Sequence, residues 1–119
     1  MEAKHTLCLV NPALEVIAGK WKTTILLILL FEGTKRFSEL NNAIPLITKK
    51  MLTSQLRELE DQDIILREVY PVVPPKVEYS LTEYGRTLEP ILHLMHDWGS
   101  AHVSHMANKP NGRDFVEMM

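Results

Sequence analysis

TKKMLTSQLRELED, residues Thr48 to Asp61, is the stretch whose reading decides the fold. At about 100° per residue it sorts its side chains onto two faces of a helix. Leu52, Leu56 and Leu59 stack at i, i+4 and i+7 as an inward apolar stripe. Lys50, Ser54 and Arg57 fall on the opposite side, flanked by Lys49 and Thr53, and none of that outward set is acidic. The acids Glu58, Glu60, Asp61 and Asp63 gather toward and beyond the carboxyl end. Hydroxyl and cationic groups at the front and outer face of a helix donate hydrogen bonds to phosphates and base edges. Taken alone, the pattern suits a solvated surface helix better. The flanking segments reverse that preference.

Upstream, Pro12 suits the first turn of a helix, because its missing N–H would be unpaired there anyway. Ala13 to Ala18 reads as a short helix with Leu14 and Ile17 on one face, ended by Gly19. Lys20 to Phe31 is apolar on nearly every side and predicts a buried second helix. Its isoleucines also permit a strand, and length favours the helix. After Gly33, residues 35–37 allow no more than a stub of strand. Ser38 is a suitable N-cap for a short helix over Glu39 to Ile44, with Glu39 complementing the helix dipole. Pro45 closes that helix, Leu46 and Ile47 cross a tight connection, and Thr48 caps the long helix. A helix, a short turn and a longer cation-faced helix make a helix-turn-helix, here over about residues 38–61.

Downstream, Ile64 to Tyr70 and Lys76 to Leu81 are rich in β-branched and aromatic residues. Pro71, Pro74 and Pro75 lie between them and mark a rigid hairpin tip. This hairpin, about residues 64–81, is a wing, with Arg67 and Lys76 placing cations along it. Thr82 then caps a final helix to about His105, with Glu83 in its first turn. Pro90 should kink or divide that helix near Arg86 to Glu89. Leu88, Ile91, Leu92, Met95, Trp98 and His102 form one stripe, which either covers the chain's own core or meets a twin subunit. The tail, residues 108–119, contains Pro110, Asn111 and Gly112 and is expected to fray. The fold class is mainly α with a small β-hairpin (α+β): one winged helix-turn-helix domain over residues 1–107.

A length of 119 residues supports one domain with its own core. The net charge of −2 argues against a general basic coat for nucleic acid. The charge is segregated, however. Lys35 to Arg57 holds five cations against one acid, and Glu58 to Asp63 holds four acids and no cation. Positive charge is thus concentrated on the stretch that reads as DNA-facing. Cys8 is the single cysteine, so no intrachain disulfide is possible, which fits a reducing cytosol. No secretory leader is visible at the amino terminus. The longest apolar run, Ile25 to Phe31, falls far short of the roughly 20 residues that span a bilayer. A cytoplasmic chain without a membrane partner is expected.

GKWKTTILLILLFEGTKRFSEL (residues 19–40), ITKKMLTSQLRELEDQDII (47–65), VYPVVPPKVEYSLTEYGRTLEPIL (69–92) and HDWG (96–99) together resemble the HxlR family of bacterial transcription regulators. That family is a winged helix-turn-helix group related to the MarR-like regulators, and the resemblance runs from about Cys8 to Gly99. It implies a homodimer built from the terminal helices, about residues 8–18 and 83–105. Leu14, Ile17, Leu88, Ile91, Leu92, Met95, Trp98 and His102 would then form the interface. It implies a recognition helix in the major groove of a palindromic double-stranded operator, with the wing on the backbone or minor groove. Carried over by position, the DNA-binding residues are Arg36, Ser38, Thr48, Lys49, Lys50, Thr53, Ser54 and Arg57, with Lys76 as the wing cation. Repression is the expected effect. Many members carry a Cys-Pro pair a dozen or so residues before the GKW motif, and in some that cysteine senses oxidants or electrophiles. Cys8 sits at that place but is followed by Leu9, a departure from the pattern. It is a candidate sensor, with a passive, partly buried thiol as the alternative. A small-molecule effector is compatible with this reading but no residue identifies one.

Three rival readings compete for the same residues. An enzyme would need a base and an orienting group around Cys8 and a recognisable nucleophile motif, which the chain lacks. A metal site would draw on His93, His96, His102 and His105, but the two i, i+3 pairs point to different sides of one helix and no thiolate cluster supports them. No metal or other cofactor is expected, and His102, on the apolar stripe, would be pH-sensitive if buried at a dimer contact. A winged helix that binds protein without DNA is the remaining alternative, to which the acidic run 58–63 is suited. Charge segregation toward the long helix favours DNA.

Overall fold

The computed structural model describes residues 9–110. Cys8 and the tail beyond Pro110 therefore lie outside the described residues. Two compact units form, one through Thr87 and one from Leu88 onward.

In the first unit, α1 spans Val10–Ile17 and α2 spans Lys20–Glu32. Helix α1 begins three residues earlier than Ala13, with Pro12 in its first turn, where proline disturbs no intrahelical bond. Gly19 (φ 95°) separates the two helices and Gly33 (φ 84°) ends the second, both in a backbone region that L side chains avoid. Only Ile25, Leu26 and Leu29 of α2 are buried, and Phe31 is 63% exposed, which corrects the expectation of burial on nearly every side. The domain is small, and α2 packs against α1, α4 and the sheet, leaving part of its circumference in solvent.

Lys35–Arg36 forms β1, and α3 follows at once over Phe37–Ala43. Ser38 is therefore not the cap. Strand pairing carries the chain straight into the helix at Arg36, whose backbone N–H donates to the Glu39 carboxylate at 2.9 Å. Glu39 satisfies an orphan donor of the first turn from within the helix. Helix α4 spans Lys49–Asp61, and the Oγ1 of its cap Thr48 accepts from the Met51 N–H at 3.0 Å.

Strands β2 (Ile65–Tyr70) and β3 (Lys76–Leu81) complete an antiparallel sheet in the order β1-β3-β2. The register sets Arg36 opposite Glu78, Glu68 opposite Glu78, and Arg67 opposite Tyr79. The core combines Ile25, Leu26 and Leu29 with Leu40, Ile44 and Ile47, the α4 stripe Leu52, Leu56 and Leu59, and Ile64, Ile65, Tyr79 and Leu81 from the sheet region. All three α4 leucines are at most 2% exposed.

Thr82 does not cap the final helix. Its hydroxyl donates to the Asp63 carbonyl at 2.6 Å and accepts from the Gly85 N–H at 2.8 Å, tying the end of β3 to the turn after α4. A 3-10 turn over Gly85–Leu88 follows, and then α5, Glu89–Ala107, in the second unit. Pro90 divides the segment as expected, because it is tolerated only in the first turn of α5. Among the described residues no helix is long and apolar enough to cross a membrane.

Candidate nucleic-acid interface

Burying the leucine stripe of α4 forces the opposite face outward. Lys49, Lys50, Ser54, Arg57 and Glu58 are exposed, and with the half-buried Thr53 they line a groove of about 500 Å³. Thr48 lies at the start of that face, with its side-chain oxygen engaged in the cap. The Thr53 hydroxyl donates to the Lys49 carbonyl at 2.8 Å, so its proton is committed and only its acceptor lone pairs face outward.

A second groove, about 430 Å³, runs between the helices and the sheet, where Phe37, Thr53, Arg57, Glu60 and Arg67 meet beside Tyr79. Arg57 borders both grooves. Phe37 brings the start of α3 beside α4, so the exposed Arg36 and Ser38 flank the same region. Arg67 joins the site here. Sequence reading noted it as a wing cation but left it out of the binding set. Its two-residue phase with the apolar Ile65 along β2 is the signal that the sequence offers.

The charges divide sharply between paired and free. Among the described residues, Arg36, Lys49, Lys50, Arg57 and Arg67 have no carboxylate partner. Glu58, the acid nearest the first groove, is held at 3.8 Å by Lys22 of α2. Lys76, expected as the free wing cation, is instead held. Its ammonium lies 3.4 Å from the Glu78 carboxylate and 4.9 Å from the centre of the Tyr70 ring. The Tyr70 hydroxyl donates to Glu68 at 3.2 Å, and that bond, with the nearby Glu68 charge, raises the phenol pKa above its ordinary 10.0. One face of the wing therefore carries one cation against two carboxylates and is not a cationic strip.

In the second unit, Ile91, Leu94, Met95 and Trp98 are exposed and line an apolar groove of about 770 Å³. Trp98 stacks on His102 with ring centroids 4.9 Å apart. Leu94 was absent from the sequence-derived stripe. In the first unit, α1 exposes Val10 and Leu14. Ile17 and Leu92, grouped with the interface on sequence, are buried within the chain itself at 3% and 4% exposure, and Leu88 is half-buried. Among the described residues no group of three or more potential metal ligands forms.

A family profile described as HxlR-like helix-turn-helix matches residues 16–107. The chain is 60% identical over 92 residues to the uncharacterized HTH-type transcriptional regulator YdeP of Bacillus subtilis (strain 168), covering 77% of this chain and 71% of that one. Among solved structures it is similar to the redox regulator HypR in its oxidized form, with a TM-score of 0.73 and 55% identity over 79% of this chain and 96% of that one. It is also similar to a transcriptional regulator of the MarR family from Enterococcus faecalis V583, with a TM-score of 0.78 and 37% identity over 92% of this chain and 98% of that one.

Proposed function

This chain belongs to the HxlR-like helix-turn-helix family, whose members are DNA-binding transcriptional regulators and not enzymes, and on that premise we propose that it represses transcription as a homodimer on a palindromic operator. The observation that carries the reading is the run of unpaired cations and hydroxyls along the start of α4, with the neighbouring acids held back or displaced to its end. Inserted in a major groove, α4 would meet phosphates through Lys49, Lys50 and Arg57 and read bases through its outward polar side chains, Thr53 and Ser54 among them, while Arg36 and Arg67 add phosphate contacts. Two such helices about a two-fold axis would read half-sites about one helical turn apart.

The homodimer is supported by the apolar side chains that α1 and α5 leave in solvent, Leu14, Ile91, Met95 and Trp98 among them. On α5, Ile91, Leu94, Met95 and Trp98 line one exposed apolar groove, and surface of this kind marks an interaction site. Redox response through Cys8 rests on similarity to a redox regulator, and the thiol itself lies outside the described residues.

Fluorescence anisotropy on DNA from immediately upstream of the protein's own gene tests the reading, using scrambled DNA as control and protein before and after diamide. Selective binding abolished by diamide, and retained under diamide by Cys8→Ser, supports a thiol-switched repressor. Selective binding indifferent to diamide removes the thiol switch and leaves a small-molecule effector as the signal. No preference for any DNA over scrambled sequence at moderate salt would sink the operator reading and favour a protein-binding winged helix.

A further inference from the structure

The groove between α4 and the sheet, about 430 Å³, has the size of a small-molecule site and is more closed than the groove along the outward face of α4. Thr53, Leu56, Arg57 and Glu60, at i, i+3, i+4 and i+7, make one wall from a single stripe of α4. Arg67 and Tyr79 make the other. They pair directly across β2 and β3, so their side chains stand on the same face of the sheet. Leu56 and Tyr79 are 2% and 8% exposed and give the groove a buried floor, which the half-buried Phe37 extends.

Three donors at this groove have no acceptor. Among the described residues Arg57 and Arg67 lack a carboxylate partner, although Glu60 lines the same groove. The Tyr79 hydroxyl also lacks a hydrogen-bond partner among the described residues, on a side chain more than nine-tenths buried. Its oxygen keeps some contact with solvent, and the ring lines this groove. A buried phenol normally finds a partner.

DNA accounts for the arginines at the rim but not for what lies beneath them. A backbone phosphate makes no use of Phe37 and Leu56, and Glu60 repels it. Two guanidiniums against the one carboxylate of Glu60 leave a net charge of +1, which a single carboxylate neutralises. The acceptors are Glu60 and the Thr53 hydroxyl, whose own proton goes to the Lys49 carbonyl. They call for a donor on the ligand.

We propose that this groove binds a small organic monocarboxylate with a flat apolar body and a hydroxyl or amino group of its own. The Arg57 and Arg67 guanidiniums and the Tyr79 hydroxyl donate to its carboxylate, its ring lies on Phe37 and Leu56, and its own donor faces Glu60 and Thr53. The regulatory consequence rests on the DNA-binding reading above. Arg57 lines both grooves, and one guanidinium cannot hold the ligand and a phosphate at once. Ligand and duplex therefore weaken each other's binding by the same factor.

Isothermal titration calorimetry of the full-length protein without DNA tests the site. The probes are 3-hydroxybenzoate and 4-hydroxybenzoate, with benzoate and inorganic phosphate as comparisons. At least one hydroxybenzoate should bind once per chain, more tightly than either comparison. Tyr79→Phe and Arg67→Gln should each weaken it by at least about tenfold, the loss expected when a hydrogen bond to a charged group is removed. Tyr79→Phe should melt where the parent does, because the hydroxyl bonds to nothing among the described residues. In anisotropy on a duplex from upstream of the protein's own gene, a saturating amount of the same acid should raise the DNA dissociation constant by at least about fivefold. No saturable binding of either hydroxybenzoate up to about 10 mM overturns the proposal. So does binding that both variants leave unchanged, or phosphate binding as tightly as the acids, which would make the groove part of the DNA surface alone. Binding that follows the variants but leaves DNA affinity untouched overturns the mutual exclusion. Failure of the parent to bind any duplex removes the DNA reading, while the calorimetry still decides the ligand site.

Discussion

Replacing both Lys50 and Arg57 with alanine should lower the salt dependence of DNA binding by a calculable amount. Five of the cations that lack a carboxylate partner among the described residues, Arg36, Lys49, Lys50, Arg57 and Arg67, lie on or beside the α4 face. If each meets one phosphate in both protomers of a dimer, the complex neutralises about ten phosphates, and the slope of log K against log salt is about −9. That figure is an upper bound, since a cation spent on a base edge releases no counterion. The double substitution removes about four of those contacts per dimer and should bring the slope to about −5. Between 50 and 200 mM salt the parent would lose on the order of 10⁵ in affinity and the variant on the order of 10³. Both side chains are exposed and unpaired, so their loss should alter folding stability by no more than about 0.5 kcal/mol. Anisotropy titrations at four or more salt concentrations, with urea melts of the same preparations, measure both quantities. A slope that moves by less than about 1, with folding intact, would refute the assignment of these two residues to phosphates.

Gly85→Ala should destabilise the first unit by about 1–3 kcal/mol in urea melts, because a Cβ there would collide with the backbone carbonyl of Ile64; an unchanged midpoint would contradict the packing described. If the proposed homodimer forms through the apolar groove of α5, Trp98→Lys should raise its dissociation constant by more than tenfold in sedimentation equilibrium, as expected when an exposed aromatic anchor is lost, and an unaltered constant would exclude this groove as the interface. In an alkaline absorbance titration, Tyr70→Phe should remove a phenol that ionises above 10.0, and Glu68→Ala should bring Tyr70 down toward that value. The sign is that of a raised acid: the Tyr70–Glu68 bond is fully present below pH 10.0 and is lost as pH climbs through the raised value, so neutral pH leaves the wing unchanged. Asp61→Asn combined with Asp63→Asn should increase affinity for scrambled DNA at low salt while leaving folding stability unchanged or higher; no gain for scrambled DNA would show that these acids do not limit non-specific binding.

Elements held by local rules were legible in the sequence. The α4 stripe has the 3.6-residue period, Thr48 is a cap with a hydroxyl, and Pro90 obliges a helix boundary, so all three stand where the residues put them. What was not legible depends on partners distant in sequence. Ser38 is the better cap by residue type, but pairing of β1 with β3 moves the helix start to Arg36. Lys76 reads as a wing cation along the chain, yet pairing of β2 with β3 returns Tyr70 to its side, beside Glu78 two residues along the same strand. The α5 stripe also looked uniform on a helical wheel. In the structure Leu92 is buried while Ile91, Met95 and Trp98 stay in solvent, a division that periodicity alone cannot draw.

The charge order along α4 runs against the helix's own stability. Its first turn carries Lys49 and Lys50 and no acid, while its last turn holds acids and no base, the reverse of what the helix dipole favours. Each misplaced charge costs a few tenths of a kcal/mol or more, so the arrangement is not there to hold the helix together. Thirteen residues at about 1.5 Å each separate the two ends by about 20 Å, roughly twice the Debye length at physiological salt. The ends therefore act on a duplex independently. A phosphate wall is attracted to the amino-terminal end, beside Lys49 and Lys50, and repelled by the carboxyl end, beside Asp61 and Asp63. With a net charge of −2 there is little attraction at longer range to blur that preference. Side-on, non-specific adhesion of α4 is disfavoured, and entry by its amino-terminal end is favoured. That is the approach in which Lys49, Lys50, Ser54 and Arg57 reach base edges, so the segregated charges supply orientation and the groove-facing side chains supply sequence choice.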